Sequence, residues 1–116
     1  RDPDTQTGRP FGDLLDWYLD PSSRRNEWSL SHARERRTLA DKWIRPVIGP
    51  VPCDEISPDR MRSVLAQARD RGASPSRVRA IGVALRSIVT VGLEDGWLSG
   101  DPMRGVRYTT RSMTRQ

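Results

Sequence analysis

Apolar residues recur at helical spacing in four stretches of the chain. Phe11, Leu14, Leu15, Tyr18 and Leu19 fall at i, i+3, i+4, i+7 and i+8. That spacing places them on one face of a helix, which Asp20-Pro21 ends. After a polar loop over residues 21–28, a second helix is expected from Ser29 or Ser31 to Arg45. Its apolar side holds Ala33, Ala40, Trp43 and Ile44, and Pro46 is expected to stop it. Residues 47–55 carry Gly and Pro with no regular period and read as a connector. Ser57-Pro58 then opens a third helix, since Ser caps a helix start and Pro suits its first position. Met61, Val64, Leu65 and Ala68 follow until Gly72. Ser74-Pro75 repeats the device for a fourth helix running to about Asp95, with Val78, Ile81, Leu85, Ile88, Val89 and Gly92 as its buried stripe and Gly96 as its stop.

Strand signals are weak throughout, so the pattern predicts an all-α fold. It is a single bundle of four main helices, with room for a short fifth near residues 97–103. The division expected is a flexible N-terminal segment over 1–9, a helical domain over 10–103 and a basic tail over 104–116. The chain begins at Arg1 and reads as part of a longer protein.

Charge changes this picture more than composition does. With 116 residues a single domain is expected, and 34% hydrophobic residues is low for a globular core. Four tryptophans and the Leu, Ile and Val set nonetheless argue against disorder. The net charge is +5, and of 20 basic residues all but Lys42 are arginine. Arginine binds phosphate oxygens through a planar fork of donors. The charge also comes in blocks. Residues 24–45 hold seven basic and three acidic residues, residues 60–86 hold seven and one, and the tail from 104 holds four and none.

The basic blocks fall on two of the predicted helices. In the second, Arg34, Arg36, Arg37, Thr38, Lys42 and Arg45 occur within twelve residues. In the fourth, Arg77 borders the apolar stripe, while Ser76, Arg79, Val83, Arg86, Ser87 and Thr90 lie roughly opposite it. Arginines at a helix N-terminus meet the positive end of the helix dipole, a conflict that an anion such as a DNA phosphate removes. Any one exposed arginine is ordinary solvation. Two basic helices in one small bundle point to a nucleic-acid surface. The residues assigned to it are Arg34, Arg36, Arg37, Thr38, Lys42, Ser74, Ser76, Arg77, Arg79 and Arg86, with Arg107 and Arg111 from the tail.

Catalytic chemistry finds no footing. His32 is the only histidine, so no His pair for a metal exists. Cys53 is the only cysteine and has no neighbouring His, which argues against a nucleophile and for a reduced, cytoplasmic setting. Asp13, Asp16 and Asp20 read as a solvated helix face, and the tryptophans as core or core-edge residues rather than a base-stacking platform. No cofactor or metal is expected. No apolar run approaches the roughly 18 residues of a membrane span.

Three stretches carry a resemblance to a known family. "FGDLLDWYLD" resembles the opening helix of the N-terminal core-binding domain of tyrosine recombinases, the phage-type integrases. "LADKWIRPVIGPVPCDEISPDRMRSVLAQAR" resembles that domain's next helix, its Pro-x-x-Gly connector and its third helix. "GASPSRVRAIGVALRSIVTVGLEDGWLSGDPMRGV" resembles its last helix and exit turn. The order and spacing of the three cover about residues 10 to 107. The sequence departs at Arg77, where the family carries Thr, and at Asp101, where it carries Asn.

The resemblance implies an orthogonal, SAM-like helical bundle. It implies half of a C-shaped clamp on a duplex recombination site, with the second and fourth helices approaching the major groove. The catalytic Arg, Lys, His-x-x-Arg and Tyr would belong to a separate catalytic domain, so this chain would bind DNA and leave it uncut. Its partners would be duplex DNA, its own catalytic domain and other recombinase protomers, in the bacterial cytoplasm, and its parent a phage or other mobile element. The competing readings are a helical protein-interaction module and a free-standing helix-turn-helix regulator. "RDRGASPS" could mimic the tight turn of the latter, but the long fourth helix and exit turn fit the integrase pattern better.

Overall fold

The computed structural model describes residues 7–20 and 29–108. Five α-helical segments follow one another: α1 (Phe11–Leu19), α2 (Leu30–Leu39), α3 (Arg45–Ile48), α4 (Pro58–Asp70) and α5 (Pro75–Glu94). A π-helical turn over Ala40–Ile44 joins α2 directly to α3, so the expected count of four main helices holds. A 3₁₀ turn spans Cys53–Glu55. Among the described residues the only extended pairing is an isolated bridge between Pro10 and Pro52.

The helix starts follow local chemistry. Ser29, Ser57 and Ser74 each accept a hydrogen bond from the backbone N–H three residues on, at 3.1, 3.3 and 3.1 Å. Each such cap contributes about 1 kcal/mol. Helix α1 begins at Pro10 without a side-chain cap. Its first N–H groups instead reach the connector: Phe11 donates to Val51 O and Gly12 to Gly49 O, both at 2.8 Å. The connector that looked irregular in sequence thus supplies the missing acceptors of another helix.

Helices α4 and α5 end alike. Gly72 (φ 93°) and Gly96 (φ 83°) take the left-handed conformation. The next N–H folds back, Ala73 to Ala68 O at 3.0 Å and Trp97 to Gly92 O at 2.8 Å. This is the Schellman closure that glycine permits.

Pro46 does not stop the second helix, contrary to the sequence expectation. The chain continues helically to Ile48. In an α-helix the Lys42 carbonyl would accept from the N–H of residue 46, and proline has none and crowds that carbonyl. The π turn just ahead of Pro46 widens the helix by one residue per turn and carries the chain past the obstruction.

Helix α5 is the central member and packs on α1, α2, the π turn and α4. Its buried side comprises Val78, Ile81, Gly82, Ala84, Leu85, Ile88, Val89 and Gly92. Around it lie Phe11, Leu14, Leu15, Ile44, Ile48, Met61, Leu65 and Met103, all fully buried. At roughly 1.5–3 kcal/mol per large apolar side chain, this burial is the main force holding the bundle. Trp43 and Trp97 are buried and Trp17 is partly so, with the rings of Trp17 and Trp97 6.0 Å apart. Trp28 lies outside the described residues.

The exit segment is held against the bundle. Residues 97–103 form turns rather than a short helix: the Asp101 side chain accepts from the Met103 N–H at 2.9 Å, the local bond that competes with helix. Val106 is buried, and Tyr108 lies on Gly82 so closely that a Cβ there would fall within its side chain.

Candidate nucleic-acid interface

Helix α2 and the π turn that extends it present Arg34, Thr38 and Lys42 at intervals of four residues, and all three are exposed. Residues four apart share a face, so they form one polar stripe along the helix. Arg37 is also exposed. Arg36 points elsewhere. It is partly buried, its Nε donates to His32 Nε2 at 3.3 Å, and its buried Nη1 has no hydrogen-bond partner among the described residues.

The first two turns of α5 are the free part of that helix. Ser74, Ser76, Arg77 and Arg79 are exposed there. Further along, the side read as open in sequence is largely engaged. Ser87 Oγ is 2.8 Å from the Tyr18 hydroxyl, and Thr90 donates to Arg86 O at 2.9 Å. Arg86 is half-buried and pairs with Asp101 at 3.2 Å. Arg86 lies nine positions after Arg77, so the two stand about 13 Å apart along the axis.

The two helices meet at one open cleft. Thr38, Lys42 and Trp43 form one wall, and Arg71, Gly72, Ala73, Ser74 and Arg77 the other, around a volume of about 390 Å³. The two basic helices singled out by charge are therefore brought together in space. The turn between α4 and α5 sets them side by side.

Sequence reading missed Arg71. Its guanidinium lies 4.4 Å from the centre of the Trp43 ring, and its Nη1 donates to Lys42 O at 2.9 Å. That is the carbonyl for which Pro46 has no donor. A proline inside a helical pattern was the available signal that a carbonyl needed an outside partner, but nothing in sequence says which of 19 arginines supplies it.

Two carboxylates near α2 are engaged by Arg45, which does not line the cleft. Asp41 pairs with Arg45 at 3.1 Å, and Arg45 also reaches Asp16 on α1 at 2.9 Å. Arg107 is exposed and lines a separate groove of about 420 Å³ with Arg62, Leu65, Ala66, Arg69 and Gly105. Arg111 lies outside the described residues.

Nucleophilic chemistry at Cys53 is disfavoured. Burial, with the nearby charges of Asp13 and Asp54, pushes its thiol up to about 11. At neutral pH it is therefore protonated and inert. No helix among the described residues is long and apolar enough to cross a membrane.

Comparison with known proteins places the chain in a family. Residues 11–109 match the family model described as the phage integrase central domain. The fold is similar to the solution NMR structure of a phage integrase SAM-like domain from Moorella thermoacetica. That likeness has a TM-score of 0.69 and 23% identity, and covers 92% of this chain and 88% of the other. A search of curated proteins gave no match. In integrases the central domain is the non-catalytic part. The chain therefore belongs to the phage integrase central-domain family, and its role lies in site-specific recombination.

Proposed function

We propose that this chain binds duplex DNA at a recombination core site and forms one half of a clamp around it. The observation that carries the reading is the convergence of Thr38, Lys42, Ser74 and Arg77 on one open cleft between two helices. Two helix surfaces held side by side suit a groove with its flanking phosphates, which need local positive density. Arg34 and Arg37 extend the surface along α2, and Ser76 and Arg79 extend it along α5. Arg36 and Arg86, engaged by His32 and Asp101, are left out of this surface. Arg107 and Arg111 supply flanking contacts near the exit of the chain. The parent protein is a tyrosine recombinase whose catalytic groups lie on another domain, and this chain leaves DNA intact.

Anisotropy titration of labelled duplexes at low and physiological salt tests the reading. Binding that weakens steeply with salt supports it. Salt-insensitive binding, or none, sinks it in favour of a protein-interaction module. Excision in cells rather than promoter control separates recombination from transcriptional regulation.

A further inference from the structure

We infer that Arg71 is a positioning residue that shapes the cleft into a seat for one phosphate of the DNA backbone, with Lys42 and Arg77 as the groups that contact it. This rests on the DNA-binding reading above and deepens it. The argument starts from Pro46. Keeping a helix running through a proline leaves the Lys42 carbonyl without its ordinary donor. That carbonyl is at an exposed position, so a side chain can reach it from outside the helix. Arg71 comes from the end of α4, 29 positions away, and donates to that carbonyl at 2.9 Å. The same guanidinium covers the Trp43 ring at 4.4 Å.

One flat group thus ties the α4–α5 turn to the π turn at two points. The turn it ties down leads into Ser74 and Arg77 at the start of α5, and the residue whose carbonyl it holds is Lys42. Arg71 thereby holds the two cationic arms on opposite walls of one cleft. A guanidinium suits this task because its donors lie in one plane while its face stacks on an indole. Lysine can donate to the carbonyl but cannot lie flat on Trp43.

The test is a double-mutant cycle on duplex binding, with the full chain and thermal melts as a folding control. Arg71→Met, Lys42→Ala and the double variant are titrated against one duplex over a salt series. Arg71→Lys, which keeps the charge, serves as a second variant. Arg71→Met is expected to weaken binding about tenfold. Lys42→Ala is then expected to cost much less in the Arg71→Met background than in the parent, because the arm is already misplaced. Arg71→Lys is expected to lose several-fold despite its unchanged charge.

Fully additive losses would make Arg71 an independent phosphate contact and overturn the inference. So would Arg71→Lys binding like the parent, or Arg71→Met binding like the parent. If the parent itself shows no salt-dependent binding, the DNA reading fails first and takes this inference with it. A parent that binds normally, with uncoupled variants, removes the inference alone.

Discussion

The Tyr18 hydroxyl lies 2.8 Å from Ser87 Oγ and joins the first helix to the central one across 69 positions of sequence. The two helices also pack through apolar groups such as Leu14 against Gly92, and this bond adds a directional tie between them. Tyr18→Phe keeps the ring and removes the bond. It should cost about 0.5–1.5 kcal/mol in urea unfolding and leave DNA affinity unchanged. Loss of affinity without loss of stability would assign Tyr18 to the binding face instead.

Gly82 and Tyr108 form a second long-range pair. Gly82→Ala should force the Tyr108 ring off α5 and destabilise the fold by about 1–3 kcal/mol. Combining Gly82→Ala with Tyr108→Ala should give less than the sum of the single losses, since both remove the same contact. Additive losses by thermal or urea unfolding would show that the exit segment does not rest on Gly82.

Cys53 ties stability to alkaline pH. Its thiol titrates near 11 in the folded chain against an ordinary value of 9.0. The folded state holds this proton more tightly, so the contribution is constant below about pH 9. It falls as pH rises between 9 and about 11, by up to about 1.4 kcal/mol per pH unit. Comparing the parent with Cys53→Ala over that range isolates the term. At pH 7 a thiol reagent should label Cys53 only at the rate of unfolding, and rapid labelling of the native chain would contradict the burial.

The opening of α5 separates folding from binding. Ser74→Ala removes the cap and should cost about 1 kcal/mol of stability. Arg77→Ala with Arg79→Ala should leave the melt nearly unchanged, because Ala is a good helix former and both side chains are exposed. The same double variant should weaken duplex binding by about 1–3 kcal/mol and relax preference at one position if either arginine reads a base edge. Titration against specific and scrambled duplexes measures both effects.

Much of this fold was legible because its signals are local. The Ser-Pro starts at Ser57 and Ser74, the glycine stops at Gly72 and Gly96, and the stripe from Val78 to Gly92 each depend on residues within a turn or two. Pro46 misled because a proline's cost depends on whether the chain can widen around it and whether a distant donor can serve the freed carbonyl. Arg71 supplies that donor from 29 positions away, beyond any periodicity. The same limit hid Tyr108, which sequence placed in the tail, and the capping of α1 by Gly49 and Val51. Of the candidate surface, exposed stripes such as Arg34, Thr38 and Lys42 follow from helical spacing. That Arg36 turns to His32 and Arg86 to Asp101 depends on neighbours that only packing provides.

The central claim is that Lys42 and Arg77 face the same DNA backbone across one cleft. The direct measurement is the slope of log affinity against log salt for the parent and for the Lys42→Ala/Arg77→Ala double variant on one duplex. Each lost phosphate contact should flatten the slope by about 0.9. The account predicts a parent slope of several units and a double variant flatter by about 1.8, with both chains melting alike. A double variant that binds more weakly, equally or more tightly but keeps the parent's slope would contradict it.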